Sequence, residues 1–196
     1  MNKTNFGKAL SAAWAVEKAN LVLMIVGMIL AGLVSNVTCG ICGAAAMAGL
    51  MAVGLRLLDA DPKKPEIGDV FCCLKYTLPA LVLLIVGQLG CLACGVGSLV
   101  TVPLAILAII RMADTGNTES CGIAALKEVI AQIKAKGDWL VIVWMLVAGI
   151  VAALGVIVCF VGLFVTIPLA YLTMAALYRQ LFPKAEAPAP APETAA

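Results

Sequence analysis

Five cysteines sit in uncharged stretches of this chain: Cys39 and Cys42 in "TCGICG", Cys91 and Cys94 in "GCLACG", and Cys159 alone. Three kinds of chemistry suit them. Cysteine alternating with glycine serves as a small apolar residue where helices meet in a tight turn. In an oxidising compartment Cys39, Cys42, Cys91 and Cys94 could instead form disulfides within or between turns. The same four thiolates, brought together, would make a tetrahedral zinc or an iron–sulfur site. The 48 residues between Cys42 and Cys91 exceed ordinary zinc-ribbon spacing, so juxtaposition would have to come from the fold. No flanking βαβ pattern or nearby basic residue points to catalytic thiol exchange, and no cofactor is expected. Cys72, Cys73 and Cys121 lie among charged residues and are expected to stay reduced.

The elements that must position these residues follow from composition. The chain is 63% hydrophobic and 12% charged, with a mean hydropathy of +1.09, which is the balance of an integral membrane protein. All thirteen Lys and Arg and all eleven Asp and Glu fall into four clusters. Between these run three uncharged blocks, 19–55, 76–110 and 139–178, of 37, 35 and 40 residues. Each block is too long for one helix crossing about 30 Å and long enough for two of about 20 residues or slightly fewer. The expected fold is therefore all-α: six transmembrane helices arranged as three helical hairpins.

A hairpin returns the chain to the side it left, so all the charge lies on one face. The positive-inside rule makes that face cytoplasmic, with both termini there and the cysteine-bearing tips at the opposite end. The lysine-bearing start also invites a signal-peptide reading, but its polar part is long and amphipathic and no small-x-small cleavage site follows. An uncleaved first helix is expected. Arms of about 17 residues reach only about 26 Å, so a variant has the hairpins wedged into one leaflet.

The blocks repeat one another. "SLVTVPLAILAI" and "GLFVTIPLAYLT" align Val100–Pro103 with Val165–Pro168 at an offset of 65, and "TCGICG" falls on the second tip at an offset of 52. The first two units end alike, in "RLLD" at 56–59 and "RMAD" at 111–114. Each unit opens on a short amphipathic stretch: Phe6, Leu10 and Trp14; Ile67, Val70, Phe71 and Leu74; and Ile123, Leu126, Val129, Ile130 and Ile133. Such helices lie in the membrane interface or pack together as a cytoplasmic cap, and the pattern alone allows both. The resulting organisation is a membrane domain over 1–182, with units at about 5–59, 66–114 and 122–182, and a disordered Pro/Ala-rich tail over 183–196.

The blocks contain no Asp, Glu, Lys or Arg, and the chain has no histidine, which disfavours transport through a charged relay. Side chains such as Thr101, Thr166 and Gln88 are of the kind that join helices by hydrogen bonds, and stretches such as Ala45-x-x-x-Gly49 allow close backbone approach. Pro103 and Pro168 mark a repeated structural kink, with Thr101 and Thr166 placed to satisfy a freed carbonyl. Asp59, Asp61, Glu66, Asp69, Asp114 and Glu119 carry no metal, phosphate or acid–base signature and read as solvated connector charges.

The "VTVP" and "VTIP" segments, with the ending "TIPLAYLTMAALYRQLF", resemble poorly characterised bacterial six-helix membrane proteins related to the membrane domain fused to glycerophosphodiester phosphodiesterases. The resemblance implies architecture and a bacterial inner membrane. It brings no catalytic residue, and the cysteine-rich tips are not carried over from it.

Three function classes follow. The leading one is a non-enzymatic membrane scaffold, membrane-organising protein or complex subunit, whose partners are the lipid bilayer and a second copy or another membrane protein, with no nucleic acid. The others are a transporter or channel for an apolar or uncharged solute, and a redox or metal-binding protein built on the tip cysteines.

Overall fold

A computed structural model describes residues 4–60, 64–89, 97–116, 118–157 and 163–183. The described residues are all-α and contain no strand. The helices are α1 (Phe6–Ala19), α2 (Leu21–Val37), α3 (Gly43–Leu58), α4 (Thr77–Leu89), α5 (Ser98–Thr115), α6 (Ile123–Lys136), α7 (Leu140–Ile157) and α8 (Leu163–Leu181). Short 3₁₀ turns at Ile67–Phe71 and Leu74–Tyr76 lead into α4, and another at Glu119–Gly122 leads into α6. Two stretches, Ile67–Leu89 and Ser98–Thr115, are long and apolar enough to cross a membrane, and the number rises to four if each of two bent helix pairs counts as one span. The bends are sharp: 94° between α1 and α2, and 117° between Ser120–Lys136 and Leu140–Leu154. A helix turned through a right angle runs across the axis of the next one, so α1 and α6 do not extend α2 and α7.

Consecutive apolar helices pack as pairs, α2 on α3, α4 on α5 and α7 on α8, and the three returning helices α3, α5 and α8 also touch one another. The centre of this arrangement is α3. Its small side chains let neighbours approach on every side: Met51 and Leu55 join a cluster with Leu107, Ile110 and Leu177. Ala44, Ala45 and Ala48 join Leu83, Ala108 and Met112. Ala46, Leu50 and Val53 join Met24, Val70 and Leu172. A helix apolar all round is one that is buried all round, and an alanine-rich one can be crowded without cavities. The outgoing helices carry the exposed apolar rows instead, among them Val22, Ile29 and Leu33 on α2, Leu78 and Ile85 on α4, and Val143, Ile150 and Leu154 on α7. Such rows suit a hydrocarbon surround.

At the charged end the first helix is pinned to the last pair. The Thr4 N–H donates to the buried Asp138 carboxylate (2.6 Å), the Asn5 N–H donates to Gln180 Oε1 (2.7 Å), and Gln180 Nε2 donates back to the Asn5 carbonyl (3.2 Å). Phe6 stacks on Trp144 with ring centroids 5.5 Å apart. The corner that carries Asp138 depends on Gly137, whose φ of 62° is left-handed and ends α6. The face of α1 turned inward is Ala9, Ala13 and Glu17. Trp14, on the expected apolar stripe, stays exposed, and on α6 Val129 and Ile133 are buried against the bundle. Both helices therefore pack on the protein, while α1 keeps an outward aromatic face of the interfacial kind.

The turns at 67–76 pack deeper than a surface connector would. A Cβ on Gly49 would lie 1.8 Å from the Val70 carbonyl oxygen, and one on Gly27 would lie 3.2 Å from the Val70 side chain. Only a residue without a side chain lets the backbone at Val70 rest on the middle of α3. One consequence is that Thr77, which opens α4, has its hydroxyl 4.0 Å from the Cys42 thiol at the first tip. The first hairpin is thus offset against the second, a relationship that three tips gathered at one end would not contain.

Candidate functional site

The ends of the three returning helices meet in one ionic cluster. Arg179, in the last turn of α8, donates through Nε and Nη2 to the two oxygens of Asp59 (2.9 and 2.6 Å), just past the end of α3. Through Nη1 and Nη2 it also donates to Asp114, near the end of α5 (3.0 and 2.8 Å). The Tyr178 hydroxyl donates to the same Asp114 (2.7 Å) and accepts from Arg111 Nη1 (3.4 Å). The side chains of Arg179, Asp59 and Asp114 are only 16%, 10% and 20% exposed. The planar guanidinium fork explains how one cation serves two carboxylates, since it offers five N–H donors in fixed directions.

A cavity of about 620 Å³ opens against this cluster, with Arg56, Arg111, Gln132, Cys72 and Phe182 also in its wall. Arg56 pairs with Asp69 (3.2 Å), whose carboxylate also accepts the Glu66 N–H. Arg111 pairs with Glu128 (2.8 Å) and lies over the Phe182 ring (4.5 Å). Gln132 and Lys136 of α6 cap the Leu181 carbonyl at the end of α8 (3.2 and 2.5 Å). Those bonds satisfy an acceptor that the helix itself leaves open.

Asp59, Asp69 and Asp114 are therefore not solvated connector charges, as their short acidic context suggested; they join three different segments of the chain. The pattern did hold a signal for this. The offset of 65 that aligns Pro103 with Pro168 also sets Asp114 on Arg179, so a charge of opposite sign stands at the matching end of the next unit.

The two described tip cysteines, Cys39 and Cys42, form no comparable site. Cys39 is exposed in left-handed backbone (φ 50°), Cys42 is half-buried with its N–H donated to Thr38 Oγ1 (3.2 Å), and both are free thiols. Cys91, Cys94 and Cys159 lie outside the described residues, as do 184–196 of the tail. Among the described residues no three His, Cys, Asp or Glu side chains are grouped to hold a metal. Among the described residues the closest thiols are Cys72 and Cys73, with sulfurs 3.5 Å apart; Cys73 is buried and Cys72 faces the cavity.

Pro103 and Pro168 lie inside α5 and α8. The nearby threonines act between helices: Thr101 donates to the Gly87 carbonyl of α4 (2.6 Å), and Thr166 to the Ala152 carbonyl of α7 (3.4 Å). The separation is 14 residues both times, so the two hairpins share one fastening at the same place. One buried acid stands apart. Both oxygens of Glu17 are buried and find no hydrogen-bond partner among the described residues, and desolvation pushes its carboxyl up to about 7.

Comparison with protein-family models, with curated proteins and with solved structures finds no match to this chain.

Proposed function

We propose that this chain is a non-enzymatic polytopic protein of the bacterial inner membrane, a scaffold or subunit of a membrane complex, with both termini cytoplasmic. In this reading the hairpins α4–α5 and α7–α8 cross the bilayer, and the offset first hairpin inserts obliquely beside them. Kinship with the membrane domain fused to phosphodiesterases belongs to the same proposal.

The observation that carries it is the Arg179 cluster. A carrier that alternates its access must separate parts of its bundle, whereas Arg179 fastens the ends of α3, α5 and α8 to one another. The described apolar segments also supply helix-joining bonds, such as Thr101 to Gly87, in place of a charged relay. The exposed rows of α2 and α7 are then the surfaces for lipid and for a partner helix.

Photo-crosslinking residues at Ile29 and Ile150, in native membranes, are expected to yield discrete protein adducts. Saturable, selective solute flux in liposomes holding the purified protein would overturn the scaffold in favour of a transporter. Impermeant thiol labelling of single engineered cysteines at Lys134, exposed at the charged end, and at Gly40, at the first tip, in a background without native cysteines, reads topology separately.

A further inference from the structure

We propose that the cavity at the charged end is a binding site for a phosphate group, held between Arg56 and Arg111. The proposal stands apart from the scaffold reading and does not depend on it. Among the described residues the wall carries three guanidiniums, of Arg56, Arg111 and Arg179, and two carboxylates, of Asp59 and Asp114, a surplus of one positive charge. Both carboxylates are committed to Arg179, and Asp114 takes the Tyr178 hydroxyl as well. The partners of the other two arginines, Asp69 and Glu128, do not line the cavity. Their contacts are partly exposed, with 29% and 43% of the acidic side chains open, and exposed pairs of this kind bind weakly.

Arg56 and Arg111 thus keep N–H donors that these single carboxylates do not use. Two such forks suit the tetrahedral oxygens of a phosphate, which accept several charge-assisted bonds at once. The volume of about 620 Å³ is that of a small-molecule site. Leu55 and Phe182 supply an apolar shoulder for the carbon that bears the phosphate. Arg56 and Arg111 also open the matching "RLLD" and "RMAD" endings, so the two forks come from equivalent places on α3 and α5. The shared chemistry is a phosphate ester, whose source is a phospholipid headgroup or a water-soluble phosphate.

Cys72 lines the cavity and serves as the reporter. The full chain, with its other seven cysteines changed to alanine, is placed in phosphatidylcholine nanodiscs, and the rate of Cys72 labelling by a soluble maleimide is measured. One arm adds inorganic phosphate, and the other replaces part of the lipid with phosphatidic acid. Labelling is expected to slow several-fold in at least one arm; protection by phosphatidic acid alone assigns the lipid source, and protection by inorganic phosphate assigns the soluble one. Arg56→Gln and Arg111→Gln should each raise the half-protecting concentration at least about tenfold. Arg56→Lys and Arg111→Lys, which keep the charge and lose the fork, should fall between. Unchanged labelling in both arms, or undiminished protection in the glutamine variants, would overturn the site. Arg111 also touches Glu128 and Tyr178, so if Arg111→Gln unfolds, Arg56→Gln and the lysine variants decide.

Discussion

Arg179 and Asp114 stand at matching places in successive hairpins, 65 residues apart, and face each other through guanidinium–carboxylate contacts of 3.0 and 2.8 Å. The same guanidinium reaches Asp59, so one residue fastens three helix ends. Removing the cation while leaving two shielded carboxylates beside each other is costly. Arg179→Gln is expected to lower stability by about 3 kcal/mol in chemical unfolding of the detergent-solubilised protein. Adding Asp59→Asn and Asp114→Asn to that variant should restore most of the loss, because no uncompensated charge then remains. A triple variant no more stable than the single one would show that the cluster acts through shape alone.

Gly49 meets the Val70 carbonyl oxygen so closely that even a methyl group cannot enter without moving the turn. Gly49→Ala should therefore destabilise the protein by about 1–3 kcal/mol, although alanine favours helix elsewhere. Gly32→Ala and Gly149→Ala, at helical positions with open space around the added carbon, supply the contrast. They should be neutral or stabilising by up to about 1 kcal/mol. Thermal unfolding midpoints of the three variants make the comparison.

Thr101 and Thr166 fasten their hairpins through equivalent hydroxyl-to-carbonyl bonds. Thr101→Val and Thr166→Val keep the side-chain shape and remove the donor. Each is expected to cost about 0.6 kcal/mol, with Thr101 the more sensitive because its bond is 2.6 Å against 3.4 Å. Equal stability of Thr101→Val and the parent protein would remove that bond from the account of how α4 and α5 are held.

Glu17 makes stability depend on pH, and the sign follows from the direction of its shift. Its ordinary value is 4.5, and burial raises it to about 7 in the folded chain. Below the unfolded value both states are protonated, and stability is at its full level. Between about 4.5 and about 7 the unfolded chain has released a proton that the folded chain retains, so stability falls as pH rises by roughly 3 kcal/mol in all. Above that range the loss is complete and constant. Glu17→Gln should remove this slope from unfolding curves collected across the range.

Several features were legible in the residues themselves. Uncharged blocks of 35 to 40 residues require apolar helix pairs, since charge is too costly to bury unpaired, and those pairs are α2 with α3, α4 with α5 and α7 with α8. Amphipathic periodicity located α1 and α6, because a one-sided helix must turn one face to an apolar neighbour. Threonines two residues before a proline announced a polar fastening, although its acceptor lies on the preceding arm of the hairpin.

Only the tertiary structure decided how those helices stand relative to one another. Small residues along α3 announce close approach but not by what, and the answer, the backbone at Val70, depends on the path of a stretch whose periodicity predicts an amphipathic helix but which winds as two short 3₁₀ turns. Charges in connectors look solvated one at a time, because attraction acts through space and not along the chain. Asp59, Asp114 and Arg179, separated by 55 and 65 residues, became a cluster only when their three helices ended together.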